Sequence, residues 1–101
     1  MSKQIEKSER ELKELVLTYL SDYPDISVIL FGSRATDTAG ATSDFDIGLI
    51  SKEIIPQKII RELHDCVEES HIPYHVDFVD FSSVEPDFKK HALKGAIVWK
   101  D

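Results

Sequence analysis

In the stretch SDFDIGLI two aspartates one residue apart, Asp44 and Asp46, open an apolar run, and a second apolar run, ISVILF, ends shortly before them in Gly32 and Ser33. No other stretch constrains the fold as strongly. In an extended strand successive side chains point to opposite faces, so Phe45, Ile47 and Leu49 share one face while Asp44, Asp46 and Gly48 share the other. The two carboxylates then stand roughly 7 Å apart at their Cα atoms. Placed side by side they repel, at a cost in stability, unless a cation lies against them. The earlier run, Ile26 to Phe31, is short, β-branched and nearly all apolar, which suits a strand covered on both faces, and the glycine directly after it favours strand over helix. From Gly32 to Thr42 there is no periodicity, only small and polar residues around two glycines, the pattern of a loop.

The flanking segments supply helices and further strands. Between about Ile5 and Leu20, Leu12, Leu15, Val16, Tyr19 and Leu20 recur at the spacing of one helical face, and Pro24 stops that helix. The charged residues among them, Glu9, Arg10, Glu11, Lys13 and Glu14, form a solvated face. Pro56 fits the first turn of a second helix that runs to about Ser70, with Ile59, Leu63, Cys66 and Val67 as its stripe and Cys66 as a small core residue. Tyr74 to Phe81 alternates again, with Val76, Phe78 and Asp80 on one face and His75, Asp77, Val79 and Phe81 on the other. Pro86 begins a third helix, Gly95 closes it, and Ala96 to Trp99 forms a last short strand. The order helix, strand, strand, helix, strand, helix, strand predicts an α/β or α+β fold in which helices pack on one sheet.

Composition narrows the function. A chain of 101 residues is expected to form one domain with a single core, so any large substrate must be held mainly by something else. Nineteen acidic residues against twelve basic ones leave seven net negative charges. That balance opposes counterion-driven association and argues against a nucleic-acid coat protein, and an anionic triphosphate would need divalent metal to neutralise it. The lone Cys66 permits no internal disulfide, and the first residues, MSKQIEKSERELKE, lack the apolar core of a signal peptide. The apolar runs are far below membrane-spanning length, so a soluble cytoplasmic protein is expected.

These pieces suit a metal-and-phosphate site. A Gly-Ser turn at a strand end offers backbone N–H groups and a hydroxyl to phosphate oxygens, and Gly32 allows close backbone approach. Magnesium prefers carboxylate and phosphate oxygens, which Asp44 and Asp46 can supply from one strand face. Two such ions divide the chemistry of a displacement, one at the attacking oxygen and one at the leaving pyrophosphate. Asp77, on a later strand, is the candidate third carboxylate, as metal ligand and as acceptor of a hydroxyl proton. Patterning alone does not choose between Asp77 and the nearby Asp80.

The motifs Phe31-Gly32-Ser33-Arg34, Ser43-Asp44-Phe45-Asp46-Ile47 and Val76-Asp77-Phe78-Val79, with the closing FKKHALKGAIVWK, resemble the minimal nucleotidyltransferases of the DNA polymerase β-like superfamily over nearly the whole chain. The resemblance implies a nucleotidyltransferase fold, a mixed sheet packed by helices in one domain. It implies two magnesium ions held by Asp44, Asp46 and Asp77 as the catalytic residues, and nucleoside triphosphate phosphates held around Gly32, Ser33, Arg34 and Ser43. The implied reaction moves a nucleoside monophosphate, often AMP from ATP, to a hydroxyl on a protein or small molecule and releases pyrophosphate. The implied partner is an all-helical protein of the HEPN or substrate-binding type encoded nearby, which the small chain, as antitoxin, modifies or masks. Thr36 and Asp37 depart from the family pattern, which commonly has a basic residue and then glycine there; Arg34 offsets part of the added charge.

Other readings meet specific obstacles. No Gly-Lys-Ser/Thr follows Gly40, as a Walker loop requires. The Asp44, Asp46, Gly48 series has neither the spacing nor the terminal glutamate of an EF-hand. His64, His71, His75 and His91 form no zinc pattern with Cys66 and are expected at surfaces or edges. A glycosyltransferase using Asp-x-Asp needs a far larger chain. The rival from a different class is a non-catalytic binding subunit that keeps the fold and neutralises its partner by contact.

Overall fold

The computed structural model describes residues 3–35 and 44–101. Helix α1 spans Lys3–Tyr19 and tightens into a 3-10 turn, Leu20–Asp22, before Pro24. Strands β1 (Ser27–Phe31) and β2 (Phe45–Ile50) follow, then α2 (Gln57–Glu69), β3 (Val76–Asp80), α3 (Pro86–Leu93) and β4 (Ile97–Lys100). The predicted order of elements is the observed one. Gly95, just beyond α3, has φ 74° and ends the helix as the sequence suggests.

The four strands form one mixed sheet in the order β3-β2-β1-β4. β1 runs antiparallel to both β2 and β4, whereas β2 and β3 are parallel. A parallel pair cannot be joined by a hairpin, and α2 supplies the crossover. Lys100 secures the far edge by donating to the carbonyls of Tyr23, Pro24 and Ile26.

Alternation sorts the side chains into two layers. Val28 and Leu30 of β1, Phe45, Ile47 and Leu49 of β2, and Val76 and Phe78 of β3 join Leu12, Val16 and Leu20 and the α2 residues Ile59, Leu63 and Val67 in the main core. Burying each such side chain contributes about 1.5–3 kcal/mol. The opposite face is thinner, with Ile29, Phe31, Phe81 and Ala92 of α3 as its buried set. β1 is thus covered on both faces, as its unbroken apolar run predicts. Cys66 is a correction: Ile59, Leu63 and Val67, spaced by four, take the buried ridge of α2. Cys66 is therefore only half-buried and lines a groove with Leu15, Thr18 and Tyr19 of α1. Among the described residues no helix is long and apolar enough to cross a membrane.

Candidate active site

The site forms on the thinner face, where the end of β1 meets the starts of β2 and β3. Directly after β1 comes Gly32, whose φ of 76° lies in the left-handed region, which costs other residues roughly 1–2 kcal/mol. A Cβ at this position would also lie 2.5 Å from Asp46 Oδ2. Glycine is required both by the turn and by the carboxylate packed on it. The backbone then folds back, and the Ala35 N–H donates to the Gly32 carbonyl at 3.1 Å. Ser33 and Arg34 occupy this turn and are half-buried.

Arg34 does not extend into solvent. Its guanidinium carbon lies 4.8 Å from the centroid of the Phe45 ring and 5.1 Å from that of Tyr74, within cation–π range. The two rings meet edge to face at 5.7 Å. Stacking of this kind holds an arginine's charge close to the turn that follows β1.

The carboxylates come from adjacent strands. Asp46 lies opposite Phe31 of β1 and in parallel register with Asp77 of β3. Asp44, exposed, stands just before β2, where the Phe45 N–H donates to the His75 carbonyl at 3.0 Å. One ligand atom from each of Asp44, His75 and Asp77 lies within 4.8 Å of the others. His75 Nε2 is 2.9 Å from Asp77 Oδ1. Burial is the largest influence on the Asp46 carboxyl and pushes its pKa up; the charges of Asp77 and Asp44 push it further, and His75 opposes them. The hydrogen bond to Asp77, then its charge, pulls the His75 imidazole up. A carboxylate raised by neighbouring carboxylates in this way is suited to a cation, and aspartate oxygens are the donors magnesium prefers.

Asp80, the other candidate on β3, has a different role. It lies on the opposite face, 8% exposed, and accepts from the Ile55 N–H at 3.0 Å, the Ser82 N–H at 2.9 Å and the Ser82 hydroxyl at 2.6 Å. Its oxygens anchor the chain before α2 and the turn after β3. Of the two, Asp77 is the one beside Asp46.

The family described as Polymerase beta, Nucleotidyltransferase matches residues 14–101. The chain belongs to this nucleotidyltransferase family. The probable protein adenylyltransferase MntA of Haemophilus influenzae is 33% identical over 75 residues, covering 74% of this chain and 66% of that protein. The chain thus spans about two thirds of the length of that relative. A toxin-antitoxin crystal structure with AMP-PNP superposes with a TM-score of 0.69 at 22% identity, over 86% of this chain and 71% of the other. A tri-AMPylated Shewanella oneidensis HEPN toxin in complex with MNT antitoxin gives 0.64 at 20% identity, over 89% and 70%. At these identities the structural likeness establishes the nucleotidyltransferase fold that the motifs implied.

Within this nucleotidyltransferase the structure brings together Gly32, Asp44, Asp46 and Asp77, with Ser33 and Arg34 in the adjoining turn. Ser43 and Asp37 lie outside the described residues. His75 is the residue that the sequence reading missed. It is exposed, as expected of it, but it sits inside the carboxylate group rather than apart from it. The available signal was its position two residues before Asp77 on an alternating strand, which places both side chains on one face.

Proposed function

We propose that this chain is a magnesium-dependent nucleotidyltransferase that moves AMP from ATP to a hydroxyl on an all-helical HEPN-type partner encoded nearby, and so acts as its antitoxin. The observation that carries this reading is the parallel register of Asp46 with Asp77, which sets a third carboxylate beside the Asp44 and Asp46 pair. The adenylyltransferase description of the Haemophilus relative, and the AMP-PNP and AMPylated-toxin assemblies that share the fold, support the choice of nucleotide and partner. The proposal covers residues 1–101 as one nucleotidyltransferase unit acting in the cytoplasm.

In this reading Asp44, Asp46 and Asp77 hold two magnesium ions, which when bound neutralise the triphosphate and polarise the reacting phosphoryl group. The turn at Gly32 and Ser33 presents donors to phosphate oxygens, Ser43 is assigned to the same phosphates by its motif alone, and Arg34 adds positive charge. The acceptor hydroxyl oxygen forms a bond to the α-phosphorus as the bond to pyrophosphate breaks. Asp77 takes the hydroxyl proton.

The test is incubation of the chain with magnesium, labelled ATP and the product of the neighbouring gene. Label on that product, lost with Asp44→Ala, is the expected result. Neutralisation of the partner without transfer, unchanged in Asp44→Ala, would establish the non-catalytic binding subunit instead.

A further inference from the structure

Three features outside the assigned chemistry are the groove at Cys66, the exposed apolar side chains around α3 and β4, and His75; only His75 comes with geometry that specifies a ligand. Magnesium sites are built from oxygens, and the three aspartates satisfy that need without help. Imidazole nitrogen is a donor of another kind, suited to transition metals and of little use to magnesium. His75 is nevertheless directed into the carboxylates. Its Nε2 lies 2.9 Å from Asp77 Oδ1, close to the roughly 3 Å that separates neighbouring ligand atoms around an octahedral ion with bonds of about 2.1 Å. Asp44 joins both with ligand atoms within 4.8 Å.

The position of His75 has a structural cause. β3 enters the sheet parallel to β2, and the His75 carbonyl accepts the Phe45 N–H at 3.0 Å. This contact ties the backbone of His75 to the start of β2, and alternation along the chain into β3 puts its ring on the face that carries Asp77 and Asp46. The imidazole is hydrogen-bonded to the Asp77 oxygen at 2.9 Å. A metal that accepts nitrogen offers the same atom an alternative partner in the same place.

We infer that His75 is a metal-selecting ligand: with Asp44 and Asp77 it forms a mixed nitrogen and oxygen set that biases this site toward manganese over magnesium. The inference rests on the proposal that the aspartates bind divalent metal, and adds to it which metal the chain favours. All-oxygen sites already hold manganese somewhat more tightly, so the measurable consequence is the change in the ratio of the two affinities when His75 is removed.

Manganese and magnesium binding to the full chain in the presence of a non-hydrolysable ATP analogue, measured by calorimetry for the wild type and His75→Gln, tests it. Manganese affinity is expected to fall about tenfold or more in the variant, with magnesium affinity changing by less than about twofold because its oxygen ligands remain. Equal losses for both metals would mean that His75 only positions Asp77, and would overturn the inference. Electron spin-echo modulation from a directly bound nitrogen in the manganese-loaded wild type provides a second readout that needs no variant. Its absence while manganese binds, and while Asp44→Asn with Asp46→Asn abolishes that binding, would overturn the role of His75 and leave the carboxylate site standing. No manganese binding by the wild type would overturn both.

Discussion

Asp77 and Asp80 lie on the same strand, three residues apart, and meet opposite environments. Asp80 shares a face with Val76 and Phe78, is 8% exposed, and accepts three hydrogen bonds from Ile55 and Ser82. Asp77 faces the other way, half-exposed, beside Asp46 and His75. A buried carboxylate whose oxygens are occupied by protein donors holds the fold together. One placed among other carboxylates at the edge of solvent does little for the fold and is available for a cation and a substrate. The difference separates a carboxylate committed to the fold from one the fold leaves open to solvent.

Substitutions at the two positions should fail in different ways. Asp77→Asn is expected to reduce nucleotidyl transfer by about 10²–10⁴-fold, the range for losing a proton acceptor, with an unchanged circular dichroism spectrum and little shift in melting. Asp80→Ala should cost about 2–3 kcal/mol, because it strips a charged acceptor from buried donors. That loss would appear as a melting temperature lower by on the order of 10 °C. A stability loss at Asp77 as large as at Asp80 would break the distinction.

Gly32→Ala tests where the two roles meet. The left-handed backbone should cost roughly 1–2 kcal/mol. The new methyl, only 2.5 Å from Asp46 Oδ2 in the present geometry, should also displace that carboxylate and weaken magnesium-dependent nucleotide binding. Titration with a fluorescent ATP analogue measures the second effect separately from the first.

The smallest effect concerns Asp46 itself. Burial and its neighbours raise its carboxyl pKa, so the folded state holds the proton more tightly than the unfolded chain does. That contribution to stability is complete below the unfolded value near about 4 and is lost as pH rises through the higher folded value. At neutral pH without metal the ionised group is therefore a net cost. Asp46→Asn should raise the metal-free melting temperature, by less than the substitution at Asp80 lowers it, because solvent screens this half-exposed group. The gain should shrink in acid and be offset by saturating magnesium, which the wild type, with all three aspartates, should bind more tightly than the variant.

Much of this was legible because strands with period-two patterning fix faces without knowledge of their neighbours. The opposition of Phe45 and Ile47 to Asp44 and Asp46, and of Val76 and Phe78 to Asp77, followed from alternation alone. Alternation also placed Asp80 on the apolar face, but whether it was exposed depended on donors at Ile55 and Ser82 that only the folded chain brings to it. The adjacency of Asp46 and Asp77 is likewise a matter of register between strands separated by a whole helix. Arg34 is implied as a phosphate ligand by its motif, whereas its stacking on Phe45 and Tyr74 depends on two aromatic residues distant in sequence. His75 forms no zinc pattern with Cys66, and its neighbours are aspartates, one of them, Asp44, brought to it only by the pairing of β2 with β3.

The most direct test of the site's chemistry compares two positions of the label. The chain, magnesium and its partner would be incubated in parallel with ATP labelled at the α-phosphate and ATP labelled at the γ-phosphate. Nucleotidyl transfer at Asp44, Asp46 and Asp77 predicts that the α label appears on the acceptor while the γ label leaves as pyrophosphate. A γ label on the acceptor, or no label from either nucleotide, would contradict it.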